Sequence, residues 1–300
     1  TEGQFFRLIG RSNQVAQLYI HPFSLSSIKR GKKASEHIKN YYKSFDEIKL
    51  QGLDALIITG ANVGDTDLQL APFYKDLREV VDWSYENVTS TLCSCLATHA
   101  VLEFKYAQKR KPIGKKHWGV FPPQVIDRTL PLVKGVNTRF DVPHSRYNEI
   151  SRSQFENANI KVLAASEVGV HLAVSPDLFR IVFFQGHPEY DSISLLKELK
   201  REIALYLEDN RLDYPPFPKN YLSPQCCAIL EEYKTRLKNN SATIKDFPEQ
   251  LIMQTLDNTW HDSASAIINN WIGCFYQVTN EDIKLPFMES VNPKNPLGDR

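Results

Sequence analysis

Short apolar runs that alternate with amphipathic stretches are the feature that most constrains the fold. The run Asp54–Thr59 is apolar through its centre and ends at Gly60, which is typical of a buried parallel strand. Val88–Leu92 is rich in β-branched residues and leads into the apolar helical stretch Leu96–Tyr106. Strands that alternate with helices indicate a parallel sheet. We therefore predict an α/β fold with a mostly parallel sheet and helices on both faces.

The other predicted elements rest on the same patterns. Further strands are predicted at Gln14–Ile20, Lys161–Ala164, Val170–Val174 and Arg180–Phe184. Helices are predicted near Pro72 and at Ser35–Ile48, Ile193–Leu207, Gln225–Leu237 and Ser263–Tyr276. The proline-rich stretch Tyr214–Lys219 is typical of a linker. We predict an α/β catalytic domain over residues 1–213. A partly helical C-terminal extension over residues 214–300 then packs on that domain or at a subunit contact.

Composition argues against several classes of protein. The 300 residues are 42% hydrophobic and 24% charged, and the formal net charge of +1 favours neither nucleic acid nor a membrane as partner. The five cysteines have neither the spacing of a disulfide framework nor that of a structural zinc site, which indicates a reducing compartment. No apolar run approaches the ~20 residues that span a bilayer. We therefore predict a cytoplasmic protein with no metal and no bound cofactor.

Cys95 stands where a predicted strand passes into a predicted helix. In open α/β sheets, ligands bind beyond the carboxyl ends of the strands. The free N–H groups of a helix N-terminus favour an ionised thiol and can stabilise a developing oxyanion. We therefore predict that Cys95 is a nucleophile, with a buried structural cysteine as the alternative. Cys93, two residues earlier on the strand, is interpreted as structural.

A second feature, His187-Pro188-Glu189, follows another predicted strand. Residues at i and i+2 of an extended segment point the same way, so Glu189 can orient the imidazole of His187. That imidazole must accept a proton from a thiol or a hydroxyl. A strand-end cysteine followed by a strand-end His-x-Glu is similar to the order in the class I glutamine amidotransferase-like fold. The sequence therefore predicts a triad of Cys95, His187 and Glu189.

Five sequence blocks together resemble the homoserine O-acyltransferase (homoserine transsuccinylase) family of methionine biosynthesis. They are Thr1–Leu8, Gly52–Ala61, Trp83 with Val88–Leu92 before Cys95, Pro143–Tyr147 and Gly186–Asp191. The resemblance implies the class I glutamine amidotransferase-like fold, acyl-CoA as co-substrate and a homodimer. It also implies that Cys95 takes an acyl group from acyl-CoA, with succinyl-CoA favoured. His187 then activates the hydroxyl of L-homoserine.

The resemblance implies substrate-binding side chains as well. They are Lys116, Ser145, Arg146 and Arg201. Lys116 matches a lysine that lines the acyl site. Arg201 matches an arginine that grips a substrate carboxylate, which suits the fork of a guanidinium.

The loop Gly60–Gly64 is expected to govern the acyl group. Gly64 falls where the family sets acyl choice, and a glycine there leaves room for succinyl where a glutamate favours acetyl. Backbone N–H groups of this loop, at Gly64, and of Leu96 are the candidate oxyanion donors.

Three alternatives stay open at this point. The same chemistry on L-serine with acetyl-CoA would serve cysteine biosynthesis. A glutaminase-like cysteine hydrolase would use the same triad, although such enzymes usually flank the cysteine with glycines, and here the neighbours are Ser94 and Leu96. A non-catalytic binding protein would be expected to lack a triad member, and all three are present.

Overall fold

A six-stranded sheet forms the centre of the protein in a computed structural model, which describes residues 1–61, 63, 66–208 and 210–298. The strands of the described chain are β1 (Ala55–Ile58), β2 (Ser90–Ser94), β3 (Lys111–Phe121), β4 (Gln124–Val125), β5 (Val142–Glu149), β6 (Lys161–Ser166), β7 (Gly169–Val174) and β8 (Ile181–Phe184). The α-helices are α1 (Glu2–Ser12), α2 (Lys32–Tyr41), α3 (Phe45–Gln51), α4 (Tyr74–Asn87), α5 (Leu96–Tyr106), α6 (Arg152–Asn157), α7 (Ser194–Leu207), α8 (Pro224–Lys238), α9 (Glu249–Met253) and α10 (His261–Val278).

The sheet has the order β1-β2-β8-β7-β6-β4. β1, β2 and β8 are mutually parallel, and the other neighbours pair antiparallel, so four of the six described strands run in one direction. The connections from β6 to β7 and from β7 to β8 are too short for a parallel crossover, which explains the antiparallel pairs. The predicted α/β fold with a mainly parallel sheet is confirmed.

Helices cover both faces of this sheet, as predicted. Successive strand residues point to opposite faces. Leu92 and Phe184 therefore lie in a core cluster with residues of α1 and α10. Cys93 and Phe183 lie in a second cluster with residues of α4 and α5. Burial on both faces explains why β8 is apolar along its whole length.

A second sheet, formed by β3 and β5, was not predicted. The first half of β3 is charged and contains Pro112 and Gly114, so it lacks the alternation that indicates a strand. From His117 to Phe121 the strand pairs residue by residue with β5 in antiparallel register. This sheet matters because it carries Lys116 and Ser145.

The strand predicted at Gln14–Ile20 is wrong. The N–H groups of Val15 and Ala16 donate to the side chain of Asn13 instead of to a neighbouring strand. Such a side-chain turn competes directly with strand pairing.

The single helix predicted at Ser35–Ile48 is also wrong, because the chain forms α2 and α3 there. The two helices are separated by extended backbone at Tyr42 and Ser44. Ser44 begins α3 with a capping box, in which Glu47 closes the reciprocal hydrogen bond. This strong start signal falls inside the stretch predicted to be one helix.

The chain after residue 213 packs against the α/β core. α10 shares a core cluster with α1, and α8 and α9 pack with α7 in a third cluster that includes Trp118. The stretch Tyr214–Lys219 is irregular, as predicted, and its end is hydrogen-bonded to β3. Val120 N donates to the Lys219 carbonyl at 2.9 Å, and Lys219 N donates to the Trp118 carbonyl at 3.0 Å. The domain boundary at residue 213 stays a prediction.

No helix in the described part of the chain is long and apolar enough to cross a membrane.

Gly119 makes the contact between β3 and Lys219 possible, and replacing it tests this junction. Its φ is 139°, and a Cβ there would lie 2.2 Å from the Lys219 carbonyl oxygen. We expect Gly119→Ala to lower the free energy of unfolding by roughly 2–4 kcal/mol. Gly114→Ala, on the same strand but with open space at its Cβ, is the matched control and should change it by less than about 0.5 kcal/mol. Equal urea unfolding midpoints for the two variants would contradict this.

Candidate active site

The carboxyl ends of β2 and β8 lie side by side. Two residues of the predicted triad, Cys95 and His187, follow these strand ends. Ser94 pairs with Phe184 in parallel register. The N–H of Cys95 donates to the Phe184 carbonyl at 2.8 Å, and His187 lies three residues further along the chain. Strand pairing therefore brings together two residues that are distant in sequence.

Cys95 occupies a strained turn between β2 and α5. Its φ of 53° and ψ of −110° are values that residues other than glycine rarely adopt. Such strain persists only where the surroundings fix it, and it clusters at functional sites. The Thr98 hydroxyl donates to the carbonyls of Cys93 and Phe184, which braces the turn against both strands. The arrangement is that of a nucleophile elbow, with the thiol at the N-terminus of a helix.

The side chains of Cys95, His187 and Glu189 come together beyond the ends of β2 and β8. The Cys95 side chain lies close enough to the imidazole of His187 to raise its pKa. Nδ1 of His187 lies 2.9 Å from Oε1 of the buried Glu189 carboxylate, which leaves Nε2 for the thiol. The structure therefore brings the three residues together, while their catalytic roles stay a prediction.

The charges around His187 decide its protonation state. Burial acts to lower the pKa of His187, but the negative charges of Cys95 and then of Glu189 outweigh burial and raise it well above the ordinary 6.5. The imidazole is therefore more readily protonated than an ordinary histidine.

His187 and Glu189 meet through a turn, whereas the sequence analysis expected an extended segment. The N–H of Tyr190 donates to the His187 carbonyl at 3.3 Å and closes a turn over Pro188 and Glu189. The predicted contact is present, but the predicted backbone conformation is wrong.

Gly186 lets this turn lie against the core. A Cβ there would lie 2.5 Å from Cγ1 of Val142 and 2.8 Å from Nδ1 of His171, closer than real Cβ atoms come. The next N–H, of His187, donates to the Pro143 carbonyl at 2.9 Å. Any larger residue at position 186 would therefore force the turn or these neighbouring side chains to move.

The N–H of Leu96, a predicted oxyanion donor, lies at the N-terminus of α5. It is the first N–H of α5, and such groups have no acceptor within their own helix. Gly60 comes close to it, since a Cβ on Gly60 would lie 3.2 Å from Leu96 N. The small residue keeps this space open. Gly64, the other predicted donor and the predicted determinant of acyl choice, lies outside the described residues.

Glu198 collects hydrogen bonds from several elements around the site. Its largely buried carboxylate, on α7, accepts from Ser145 Oγ at 2.6 Å and from Tyr190 OH at 2.6 Å. Lys116 Nζ lies 3.6 Å from the same carboxylate. The turn after His187, helix α7 and the β3–β5 sheet therefore meet at one acidic side chain, Glu198.

Lys116 projects from the face of the β3–β5 sheet that packs against α7. Its Nζ lies 4.2 Å from the centre of the Trp118 ring and 3.7 Å from Glu202 Oε1. Burial lowers the pKa of Lys116, while the charges of Glu198 and Glu202 act in the opposite direction. The lysine is thus held in place by two carboxylates and an aromatic ring before any ligand binds.

The two predicted arginines lie in different surroundings. Arg146 is buried, and its guanidinium donates to the carbonyls of Asn148 and Val168 and pairs with Glu149 at 3.5 Å. These are contacts that hold β5 in place. Arg201 lies on α7, with 59% of its side chain exposed, 3.9 Å from Glu202. Substrate binding by either residue stays a prediction.

Tyr190 and Glu198 are site residues that the sequence analysis missed. The Tyr190 ring stacks on the His187 ring with centroids 4.2 Å apart and an interplanar angle of 19°. Tyr190 falls within the block Gly186–Asp191, so its position was available as a signal. Glu198 precedes Arg201 by three residues, which places both on one side of a helix.

The assembled groups suit nucleophilic acyl transfer. A thiol at a helix N-terminus, an imidazole oriented by a carboxylate and a free N–H beside them are the parts that this chemistry needs. Within residues 1–61, 63, 66–208 and 210–298, no group of three or more His, Cys, Asp or Glu side chains could hold a metal ion.

Comparison with known proteins gives consistent matches over nearly the whole chain. The model of a family described as homoserine O-succinyltransferase matches residues 1–281. A homoserine O-succinyltransferase of Nitrosococcus oceani is 61% identical over 99% of this chain and 84% of its own length. That of Thioalkalivibrio nitratireducens is 58% identical over 99% of this chain and 85% of its own length.

Solved structures similar to this chain are more distant. The glutaminase domain of Trypanosoma brucei CTPS with bound acivicin is 12% identical, with a TM-score of 0.46, over 73% of this chain and 92% of that domain. A glutamine amidotransferase from Thermotoga maritima is 12% identical, with a TM-score of 0.40, over 81% of this chain and 90% of that one.

The charge on Cys95 should be visible in the titration of His187. In Cys95→Ser the hydroxyl is neutral, so we expect the pKa of His187 to fall, because the strongest contribution that raises it is removed. NMR titration of the imidazole ring measures this directly. Cys227→Ser, on α8, is the control and should leave the titration unchanged. The same His187 pKa in wild type and Cys95→Ser would contradict Cys95 as a cause of the raised pKa.

Proposed function

Because the chain belongs to the homoserine O-succinyltransferase family, and is therefore an acyltransferase, we propose that it succinylates L-homoserine in methionine biosynthesis. Succinyl-CoA is the proposed donor, and a thioester on Cys95 is the proposed intermediate. The observation that supports this most is the thiol of Cys95, which lies on a strained elbow close enough to His187 to raise the pKa of its imidazole. The homodimer implied by the resemblance stays a prediction.

In the first step the Cys95 thiolate attacks the thioester carbonyl of succinyl-CoA. The carbonyl oxygen gains negative charge, and the N–H of Leu96 is the donor best placed to stabilise it. The bond to the CoA sulfur then breaks, and the imidazolium of His187 gives its proton to the departing thiolate. The products are free CoA, a neutral imidazole and succinyl-Cys95.

The second step follows from the loss of charge on the sulfur. A thioester is neutral, so the contribution that raises the His187 pKa most is absent in the acyl-enzyme. His187 can then accept the proton of the homoserine hydroxyl while the hydroxyl oxygen attacks succinyl-Cys95. The carbon–sulfur bond breaks, the thiolate and imidazolium are restored, and O-succinylhomoserine leaves. Glu189 stabilises the imidazolium throughout.

The acceptor is a zwitterion, and α7 offers a group for each of its charges. Glu198 is an acidic group for the ammonium, and Arg201, three residues later, is a cation for the carboxylate. Lys116, fixed between Glu198 and Glu202, is the proposed partner of the terminal carboxylate of the succinyl group. The preference for succinyl over acetyl also rests on Gly64 and on the names of the relatives.

Replacing each of two neighbouring cysteines separates a nucleophile from a structural residue. With succinyl-CoA and homoserine we expect Cys95→Ala to lower the rate of CoA release roughly 10³-fold or more, without loss of folding. Cys93→Ala should keep near wild-type rates per folded molecule, since Cys93 is fully buried and burial raises its pKa.

The same assay decides between this function and its alternatives. Its other arms are acetyl-CoA as donor, serine as acceptor, and ammonia release from glutamine. Near-full activity of Cys95→Ala, or turnover of glutamine without turnover of succinyl-CoA, would contradict the proposal.

A further inference from the structure

Tyr190 makes three separate contacts, two of which link His187 to Glu198. Its ring stacks on the imidazole of His187, with centroids 4.2 Å apart. Its hydroxyl donates to Oε1 of Glu198 at 2.6 Å. Its backbone carbonyl accepts from Nε1 of Trp260, at the start of α10, at 2.8 Å. A tyrosine that only filled space would not need all three.

The stack restricts the imidazole in a way that its hydrogen bond to Glu189 does not. One hydrogen bond at Nδ1 fixes a point on the imidazole, but it leaves the ring free to tilt about that point. A ring lying within 19° of parallel restricts this tilt. The electron-rich face of a tyrosine also favours the protonated imidazole that exists at two points of the cycle. His187 is therefore oriented by an edge contact and a face contact together.

The Tyr190 hydroxyl holds the other end of the ring. Burial and the charge of Glu198 raise the pKa of Tyr190, so its hydroxyl stays protonated and donates. The Oε2 atom of Glu198 accepts from Ser145, which ties the same carboxylate to β5. The orientation of the imidazole is thus connected, through one phenol, to the position of Glu198.

We propose that Tyr190 is a positioning residue that couples the imidazole of His187 to the carboxylate of Glu198 during attack by the acceptor. This inference rests on the proposed function, in which Glu198 binds the acceptor ammonium and His187 takes its hydroxyl proton. The donor half-reaction needs the stack but depends little on the hydroxyl, since succinyl-CoA brings no ammonium to Glu198 and Lys116 is also held by Glu202. The acceptor half-reaction needs both.

Tyr190→Phe and Tyr190→Leu separate the two contacts. Tyr190→Phe keeps the stack, so CoA release without acceptor should stay within about twofold of wild type, while kcat/KM for homoserine falls about tenfold, as expected for loss of a hydrogen bond to a charged group. The pH profile of the acceptor step should shift with it. Tyr190→Leu should slow both half-reactions. Tyr233→Phe, which removes another buried hydroxyl, bonded to Thr243, is the matched control and should change neither.

A double variant tests the link through Glu198. Glu198→Gln keeps an oxygen that can accept from Tyr190 but removes the charge. Adding Tyr190→Phe to Glu198→Gln should therefore lower kcat/KM for homoserine by a smaller factor than Tyr190→Phe does in the wild type. Wild-type acceptor kinetics in Tyr190→Phe, or equal losses in both half-reactions, would overturn the coupling. Absence of succinyl transfer by wild type would instead overturn the proposed function, so the two failures are distinguishable.

Discussion

The site depends on one backbone position, Cys95, where β2 turns sharply into α5. Its positive φ is an unfavourable conformation for a residue with a Cβ, and hydrogen bonds from Cys95 N and Thr98 Oγ1 to the end of β8 hold it there. The same hydrogen bonds fix the strand that leads to His187. The same contacts therefore fix both the strained elbow and the imidazole, and the raised pKa of His187 follows from its proximity to Cys95 and Glu189.

The site is built from two structural units that carry different kinds of side chain. The ends of β2 and β8 provide the nucleophile and the imidazole, which suit the transfer chemistry. The β3–β5 sheet and α7 provide the charged side chains, Lys116 and Glu198 among them, which suit recognition of charged substrates. α8 and α9 pack against α7 in the third core cluster, so the C-terminal extension supports the helix that carries Glu198.

The sequence predicts the first unit far better than the second, for physical reasons. β1 is an apolar run and the segment leading into β2 is rich in β-branched residues, so both stand out in the sequence, and the residues at their ends are easily marked. β3 begins with lysines, a proline and a glycine, so its pairing with β5 has no local signal, and the position of Lys116 follows only from that pairing. Glu198 lies on an ordinary amphipathic helix, where nothing local separates a site residue from a solvated one. The sequence also could not distinguish a turn from an extended segment at Glu189, because both conformations bring the glutamate against the histidine of His-Pro-Glu.

The central claim is that Cys95 carries the acyl group between donor and acceptor. Mass spectrometry of protein incubated with succinyl-CoA alone, with fragmentation that separates Cys95 from Cys93, tests it most directly. The account predicts a succinyl adduct on Cys95 that disappears when homoserine is added. Transfer of succinyl to homoserine without such an adduct, or with the adduct on another residue, would contradict it.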